Sequence, residues 1–267
     1  MIESEWLIPR NCPLNIAHRG ASAAAPQNTL AAFRRAMELG ADGVELDVHL
    51  SADGVPVVMH NFHVDETTDG AGRIADKTLA ELKELDAGSK FSPQYAGERI
   101  PALAEVFETL EGKLLVNVEL KSLGGPGSAP LVVAALEVIR RHGMDKRVLF
   151  SSFDPFALRT AKRLAPDIPA GLLYAPDLPI VLRRAWLASL FPHEARNPHF
   201  SMVTERTMRW YRAHKLRVNT WTVDDPTEMK RLIALGVDSI ITDVPDVLGA
   251  MVRSIGAVDD QTSRLLH

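Results

Sequence analysis

Cysteine, excess positive charge and long apolar runs are all scarce in this sequence of 267 residues. Its single cysteine, Cys12, excludes an intrachain disulfide framework and is typical of a reducing compartment, so we expect a cytoplasmic protein. A formal net charge of −4 offers no basic surface for nucleic acid or an anionic membrane. No apolar run approaches the ~20 residues that cross a bilayer, and the first residues lack the apolar stretch of a signal peptide. We therefore expect no nucleic-acid partner and no stable membrane insertion, while the oligomeric state stays open.

Apolar segments rich in β-branched residues alternate with helical patterns along most of the chain. We predict strands at residues 14–17, 43–48, 114–120, 147–151, 170–174, 200–203, 217–223 and 237–242. Helical patterns follow most of them, at residues 29–39, 129–142, 155–164, 205–214, 226–235 and 244–254. No G-x-G-x-x-G follows the first strand, which removes the main argument for an open dinucleotide-binding sheet. We therefore predict an α/β fold, a (β/α)8 TIM-type barrel that forms a single domain over residues 1–267.

One segment interrupts this alternation after the second strand. The tetrapeptide SADG at residues 51–54 lies between two strand-like runs, which is typical of a β-hairpin. Because a parallel crossover needs a dozen or more residues, the run from Pro56 to His60 is not the next barrel strand. We expect residues 50–100 to form a small inserted cap over the mouth of the barrel, with a short helix at 79–85.

A second irregular segment, residues 176–198, is rich in leucine and contains Trp186 and Phe191. It can form an exposed apolar loop near the mouth or an extra packed helix. Apolar stripes of this kind are more often packed, which favours the helix.

Polar side chains gather where the predicted strands end, which is where barrel enzymes place their chemistry. Glu45 and Asp47 alternate with apolar residues in the second strand and so share one face. Two carboxylates on one face repel each other unless a hard cation, a basic side chain or a proton lies between them. Glu119 and Lys121 repeat this spacing at the end of the third strand, and the HRG tripeptide closes the first. We expect these charged groups to converge at one end of the barrel.

Each polar residue also has a structural interpretation. His18 can be a core histidine bonded to the backbone, and His60 can be a solvated loop residue. Lys121 can pair with the carboxylates of the second strand at the barrel rim. Asn28 and Asp243 stand where the N-caps of the first and last helices are expected. A functional interpretation is favoured because several of these residue types fall at strand ends on one face of the predicted barrel.

Several motifs occur in a fixed order along the chain: HRGASAAAPQNTLAAF, VELDVHLSADGVPVVMH, VNVELK, SSF, NTWTVDD and GVDSIITDVPD. In order and spacing they resemble the glycerophosphodiester phosphodiesterase family of metal-dependent barrel enzymes. The resemblance runs from about residue 15 to residue 248, and it rests on the set of motifs rather than on one of them.

The resemblance implies cleavage of a small-molecule glycerophosphodiester to glycerol 3-phosphate and an alcohol. It implies that Glu45, Asp47 and Glu119 bind one divalent cation, Mg²⁺ or Ca²⁺, and that His18 and His60 are the acid/base pair, without saying which is which. All-oxygen ligands suit a hard ion, and two imidazoles can hold opposite protonation states at neutral pH. The resemblance also implies that Arg19 and Lys121 contact the phosphate and that Phe153 and Trp221 line the pocket for the glycerol or head group. Trp221 can also be a core residue, which is common for a tryptophan in a strand.

Three positions depart from the family pattern. Gln27 replaces a glutamate in the motif PQNT, and Glu66 stands near the position where an arginine is expected. Asn61 replaces the aspartate that usually follows the second histidine, so an orienting carboxylate for His60 is missing or comes from elsewhere. Two alternatives stay open. A lysophospholipase D-like enzyme acting on lipid substrates is favoured if residues 186–191 are exposed at the mouth, and Gln27 and Asn61 favour a barrel that binds phosphate ligands without turnover.

Overall fold

The computed structural model describes residues 4–122 and 126–265, and it confirms the predicted barrel. The strands of this part of the chain are β1 (Leu14–His18), β2 (Gly43–Leu50), β3 (Pro56–Val58), β4 (Leu115–Leu120), β5 (Val148–Ser152), β6 (Ala170–Tyr174), β7 (Ala195–Pro198), β8 (Arg217–Thr220) and β9 (Ser239–Thr242). The helices are α1 (Leu30–Glu38), α2 (Leu79–Lys83), α3 (Leu103–Leu110), α4 (Ala129–Arg141), α5 (Pro155–Leu164), α6 (Ile180–Arg183), α7 (Glu205–Ala213), α8 (Pro226–Leu235) and α9 (Pro245–Leu265).

The sheet closes on itself through parallel pairs. The strand order is β1-β9-β8-β7-β6-β5-β4-β2, and β1 also pairs with β2, so these strands form a complete parallel cylinder. The strand β3 lies outside the cylinder and pairs antiparallel with β2, with Val58 opposite Val48 and Pro56 opposite Leu50. This confirms the hairpin that the SADG turn predicts.

Local sequence explains where the helices begin and end. Thr29 caps α1 by accepting a hydrogen bond from the backbone N–H of Ala32. Asp225 caps α8 in the same way, and Gly236 ends that helix in the left-handed conformation that glycine adopts without strain. These caps fix where α1 and α8 begin, beyond the ends of β1 and β8, so the strand ends lie outside the helices.

Apolar side chains occupy both the outer layer and the amino-terminal half of the barrel interior. Val44, Leu46 and Val48 face outward and belong to the cluster that packs the helices against the sheet. Inside, Trp6 packs against an apolar layer that includes Ile16, and its ring N–H donates to the carbonyl of Arg147 at 2.8 Å. Polar groups are therefore concentrated toward the carboxyl ends of the strands.

The segment between β2 and α3 carries a small core of its own. Val57, Ile74, Leu82 and Ile100 belong to a separate buried cluster, and α2 begins with a reciprocal capping box between Thr78 and Glu81. In the part of the chain that the structure describes, no helix has the length and apolar character needed to cross a membrane.

Two local predictions are wrong. The predicted strand at residues 200–203 is wrong, because residues 200–202 form a 3-10 turn. The strand of this unit is β7 (Ala195–Pro198), which begins five residues earlier in a more polar stretch of sequence. Residues 176–198 do not form one packed helix: α6 is a single turn followed by a 3-10 turn, with Phe191 buried but Trp186 54% exposed. In both cases tertiary contacts outweigh the apolar pattern of the local sequence.

Candidate active site

Three carboxylates meet inside the barrel at the carboxyl ends of two adjacent strands. Glu45 and Asp47 are in β2, and Glu119 is in β4, where it lies directly opposite Asp47 in the parallel register. One carboxylate oxygen from each residue lies within 4.8 Å of the others. The side chains are almost completely removed from water, since the residues are 5%, 1% and 9% exposed, respectively. The strand alternation that places Glu45 and Asp47 on one face thus also points both into the barrel.

Burial and mutual repulsion affect the three carboxylates unequally. Burial, together with the neighbouring carboxylates, raises the pKa of Glu45 well above its ordinary value. Burial also raises the pKa of Glu119 to about 7, because the attraction of Lys121 only partly offsets it. Burial disfavours the charge of Asp47 too, but Lys121 and Arg19 lower the pKa of this group overall. Burial and mutual repulsion therefore oppose the ionised forms of Glu45 and Glu119.

Two cationic side chains border the cluster. The Nζ atom of Lys121 lies 3.0 Å from Glu119 Oε1 and 3.3 Å from Asp47 Oδ1. Burial lowers the pKa of Lys121, but these carboxylates outweigh burial and raise it, so the amine is charged. The Nε atom of Arg19 lies 3.3 Å from Asp47 Oδ2, and its backbone N–H donates to Glu45 at 3.1 Å. The rim salt bridge considered for Lys121 is therefore present, with Glu119 and Asp47 as its partners.

The turn after β1 has an unusual backbone that aims several groups at Asp47. Arg19, Gly20 and Asn28 all have positive φ angles, of 55°, 81° and 58°. A Cβ atom at Gly20 would lie 2.7 Å from the backbone of Ala32, so the close approach of this turn to α1 requires glycine. Asn28 is not the N-cap of α1; its side-chain amide donates to Asp47 Oδ2 at 2.9 Å. The positive φ of Asn28 is what turns its side chain toward the carboxylates.

His18 lies at the end of β1 with both ring nitrogens near carboxylates. Its Nδ1–H donates to Asp243 Oδ1 at 2.6 Å, and Nε2 lies 4.0 Å from Glu45 Oε2. Asp243 also accepts from Ser22 at 2.8 Å. Burial opposes the charge of Asp243, but these hydrogen bonds lower the pKa of its carboxyl group. The structural roles considered for both residues are wrong: His18 bonds to a carboxylate rather than the backbone, and the Asp243 carboxylate orients His18.

His60 follows β3 and is held from the inserted segment. Its Nδ1–H donates to the side-chain oxygen of Asn61 at 2.5 Å, and the amide of Asn61 donates in turn to the carboxylate of Glu66. Position 61 has no carboxylate, but the carboxylate of Glu66 is linked to His60 through the side chain of Asn61. Two of the sequence departures, Asn61 and Glu66, therefore contact each other. Burial is the main cause that lowers the pKa of His60, while Asp47 and Lys121 act in opposite directions on it.

Aromatic side chains gather at other strand ends of the same face. Phe153 follows β5 and Trp221 follows β8, and their rings meet edge to face with centroids 5.5 Å apart. Trp221 is only partly buried, and its ring N–H donates to the carbonyl of Asn197 at 2.8 Å. His199 packs edge-on against Trp221 at 5.4 Å. Sequence analysis misses His199 because the misplaced strand puts it before a strand rather than just after β7.

The structure therefore brings the predicted carboxylates, the two cations and His18 into direct contact. His60 lies beside this group, since it lines the same cavity as Lys121. Phe153 and Trp221 form a separate aromatic pair at the same end of the barrel. A cavity of about 780 Å³ lies beside His60 and Lys121, within the size range of small-molecule sites.

Comparison with known proteins agrees with this arrangement. The model of the glycerophosphoryl diester phosphodiesterase family matches residues 18–247. A glycerophosphodiester phosphodiesterase of Caldanaerobacter subterraneus is 44% identical over 91% of this chain and 99% of its own. A Bacillus subtilis enzyme of the same name is 31% identical over 88% of this chain and 84% of its own.

Solved structures extend the likeness to three dimensions. An Oleispira antarctica phosphodiesterase in complex with the product sn-glycerol-3-phosphate is 36% identical, with a TM-score of 0.81 over 90% of this chain and 96% of its own. A glycerophosphodiester phosphodiesterase of Agrobacterium tumefaciens is 28% identical, with a TM-score of 0.74 over 88% and 98% of the two chains. Sequence match, barrel and site geometry agree, and this chain belongs to the glycerophosphoryl diester phosphodiesterase family.

Proposed function

We propose that this chain hydrolyses glycerophosphodiesters to glycerol 3-phosphate and an alcohol, with one divalent cation held by Glu45, Asp47 and Glu119. The observation that carries this proposal is the convergence of three buried carboxylates with two histidines in a chain of this family. The Oleispira antarctica relative, which binds the product glycerol 3-phosphate, supports the substrate class.

The cation site is proposed from the donor chemistry of the cluster. Three buried carboxylates within 4.8 Å supply only oxygen ligands, which suit Mg²⁺ or Ca²⁺ better than a softer metal. Asp47 Oδ1 is buried without a hydrogen bond of good geometry, and its 3.3 Å ion pair with Lys121 is the contact that a bound cation would share. The raised pKa values of Glu45 and Glu119 show that burial opposes their negative charges, which a bound cation would favour. When bound, the cation would supply electrostatic stabilisation for the charge that develops on the phosphate oxygens.

Arg19 and Lys121 are proposed to bind the phosphate group. Each is already within ion-pair distance of Asp47, so their charges border the position where a phosphate beside the cluster would lie. Pre-organised cations of this kind stabilise an anionic transition state without reorganising during the reaction. Phe153 and Trp221 are proposed to contact the glycerol or the head group through their ring faces and edges.

The two histidines are proposed to carry the proton transfers. The lowered pKa of His60 makes its ring neutral at pH 7, and its Nδ1–H is engaged by Asn61, so Nε2 is free to accept a proton. We therefore assign His60 as the base that activates water or a substrate hydroxyl beside the phosphate. The complementary role falls to His18, whose Nε2 would protonate the leaving alcohol while Asp243 holds Nδ1–H.

A substrate panel with matched variants tests the proposal. The purified chain, given glycerophosphocholine or glycerophosphoethanolamine with Mg²⁺ or Ca²⁺, should release glycerol 3-phosphate. His18→Ala and His60→Ala should each lower the rate by about 10²- to 10⁴-fold, as expected for general acid/base groups. His214→Ala, at an exposed position just after α7 and away from the carboxylate cluster, is the matched control and should retain the rate. Near-normal turnover by His60→Ala would contradict the two-histidine mechanism, and ligand binding without turnover would favour a binding module.

A lysophospholipid is the second substrate class to include in this panel. The exposed Trp186 gives the chain an apolar side chain of the kind a lipid would contact. However, Trp186 lines a cavity beside α7 rather than the carboxylate cluster. We therefore propose the water-soluble glycerophosphodiester as the substrate, and preferential turnover of lysophosphatidylcholine would overturn that choice.

A further inference from the structure

A second cavity lies on the outer face of the barrel, between the carboxyl-terminal half of β6, β7 and α7. Its volume of about 490 Å³ is within the range of small-molecule sites. Arg196 of β7 lines it, while the strand neighbours of this residue face the other way. Ala195 belongs to the apolar layer of the barrel interior, and the side-chain oxygen of Asn197 accepts from Asn219 inside the barrel. Because side chains alternate along a strand, the cavity and the carboxylate cluster lie on opposite faces of the sheet.

Arg196 is a buried cation with incomplete pairing. It is only 8% exposed, and its Nε atom has no hydrogen-bond partner. Its Nη1 donates to the carbonyl of Ala185 at a long 3.4 Å, and the guanidinium lies 5.7 Å from the ring centroid of Trp210. Among the described residues, no carboxylate lies within 4.0 Å of it. A buried charge without an anion is costly, so an anion bound beside Arg196 would stabilise it.

Another buried cation of this chain provides the contrast. Lys162 is 5% exposed and belongs to the last turn of α5, where its amine forms an ion pair with Glu194 at 2.9 Å. It also donates to the carbonyls of Pro166 and Ile168 at 2.8 Å and 3.0 Å. Lys162 is thus fully satisfied within the fold, whereas the guanidinium of Arg196 retains unused donor capacity next to a cavity.

The walls of the cavity indicate what kind of anion fits. Three further arginines line it, and no ion pair within the described residues involves them: Arg183, Arg184 and Arg206. Several guanidinium groups around one cavity suit the multiple charges and oxygens of a phosphate group better than a single carboxylate. Trp186 and Trp210 also line the cavity and are 54% and 46% exposed. These rings offer an open apolar wall beside the positive charge.

We propose that this outer cavity is a second ligand site, separate from the carboxylate cluster, that binds a phosphate group carried on an apolar chain. The phosphate oxygens pair with Arg196 and the rim arginines, and the apolar chain lies against Trp186 and Trp210. Two sources present this chemistry: a single-chain phosphate amphiphile free in solution, and the same head group displayed by a bilayer. The proposal does not depend on hydrolysis at the barrel mouth.

Titration calorimetry with dodecyl phosphate, below its micelle-forming concentration, tests the site. Glycerol 3-phosphate is present at saturation throughout, so the barrel site does not contribute. The wild type should bind one molecule, and Arg196→Met should weaken binding about 10- to 100-fold, the range for charge-assisted hydrogen bonds. Arg209→Gln, on an exposed position of α7, is the matched control and should bind as the wild type does.

A second variant keeps the test decisive if Arg196→Met fails to fold. Arg183→Gln/Arg184→Gln changes only rim positions and should weaken binding several-fold, while thermal unfolding shows that the fold is intact. Undiminished binding in this variant and in Arg196→Met would overturn the proposal, as would no binding by the wild type. Dodecyl maltoside bound as tightly as dodecyl phosphate would also overturn it, because the anion would then be irrelevant.

The source of the phosphate is resolved by two further probes. Vesicles of phosphatidylcholine with phosphatidic acid should retain the chain, relative to pure phosphatidylcholine vesicles, if the head group is read from a bilayer. Binding of dodecyl phosphate without retention by these vesicles supports a soluble amphiphile as the ligand. Either result supports the site, provided that the rim variant reduces the binding in question.

Discussion

Replacing Asp243 with asparagine removes the charged acceptor that holds the ring of His18. The oxygen remains able to accept from Nδ1–H at the present 2.6 Å, but the bond is no longer charge-assisted. Hydrogen bonds to charged groups contribute about 1.5–3 kcal/mol and neutral ones about 0.5–1.5 kcal/mol. A loss of ~1–1.5 kcal/mol of transition-state stabilisation corresponds to a fall in kcat/KM of about 5- to 13-fold. Because the Asp243 side chain is 36% exposed, water competes for it and the lower part of this range is expected.

The assay is the initial rate of glycerol 3-phosphate release from glycerophosphocholine, with ¹⁵N NMR of the histidine ring as a second readout. An asparagine side chain can also rotate and present its NH₂ group to Nδ1, so the ring of His18 should lose its preference for the Nδ1–H tautomer in the variant. Thermal unfolding should change little. Asp246→Asn is the matched control, since Asp246 is an exposed residue three positions further along, in α9. Equal kcat/KM values for the two variants, or an unchanged tautomer, would refute the positioning role of Asp243.

Three further outcomes are expected. Asn61→Asp should lower kcat/KM because it places a second carboxylate against Glu66. Adding Glu66→Arg to this variant should restore the rate. Additive losses of kcat/KM in this double-mutant cycle would contradict the contact. Gly20→Ala should lower the free energy of unfolding in urea by more than Gly54→Ala does. Both glycines have φ near 80°, so the control Gly54→Ala should show backbone strain of about 1–3 kcal/mol. Gly20→Ala should cost more, because its Cβ atom would also lie 2.7 Å from the backbone of Ala32. In the wild type, backbone N–H groups lower the pKa of the Asp86 carboxyl group from 3.8, so the stability that this charge contributes is lost as pH falls. Asp86→Asn should therefore lose less thermal stability than the wild type below about pH 4. Equal melting temperatures relative to neutral pH in the two proteins would contradict this.

Sequence patterns identify the parts of this site that strand alternation controls. The parity of Glu45 and Asp47 in β2, repeated by Glu119 and Lys121, is sufficient to place four charges at one barrel mouth. The SADG turn is likewise a local signal, and it accounts for the return of the chain to His60.

The features that sequence analysis misses depend on contacts between distant parts of the chain or on backbone conformation. Asp243 accepts a hydrogen bond from His18, which lies 225 residues away in the sequence. The neighbouring residues of Asp243 indicate only a capping role for the helix that follows it. Asn28 contacts Asp47 from a backbone with positive φ, which asparagine adopts more often than most residues, but the local sequence does not indicate that this asparagine does so. The strand β7 is missed because Arg196 and Asn197 are polar, although one faces a cavity and the other a polar barrel interior.

We propose that Glu45, Asp47 and Glu119 hold the cation on which hydrolysis depends. Turnover measured during a metal titration tests this dependence directly. Protein freed of divalent ions with EDTA is given glycerophosphocholine, and Mg²⁺ or Ca²⁺ is then added stepwise. We predict no turnover before addition and a saturable return of activity. For Glu45→Gln we predict that half-maximal activity needs an ion concentration at least about tenfold higher than in the wild type. The exposed control Glu111→Gln should need the same ion concentration as the wild type. Full turnover by the ion-free protein, or an unchanged ion requirement in Glu45→Gln, would contradict the account.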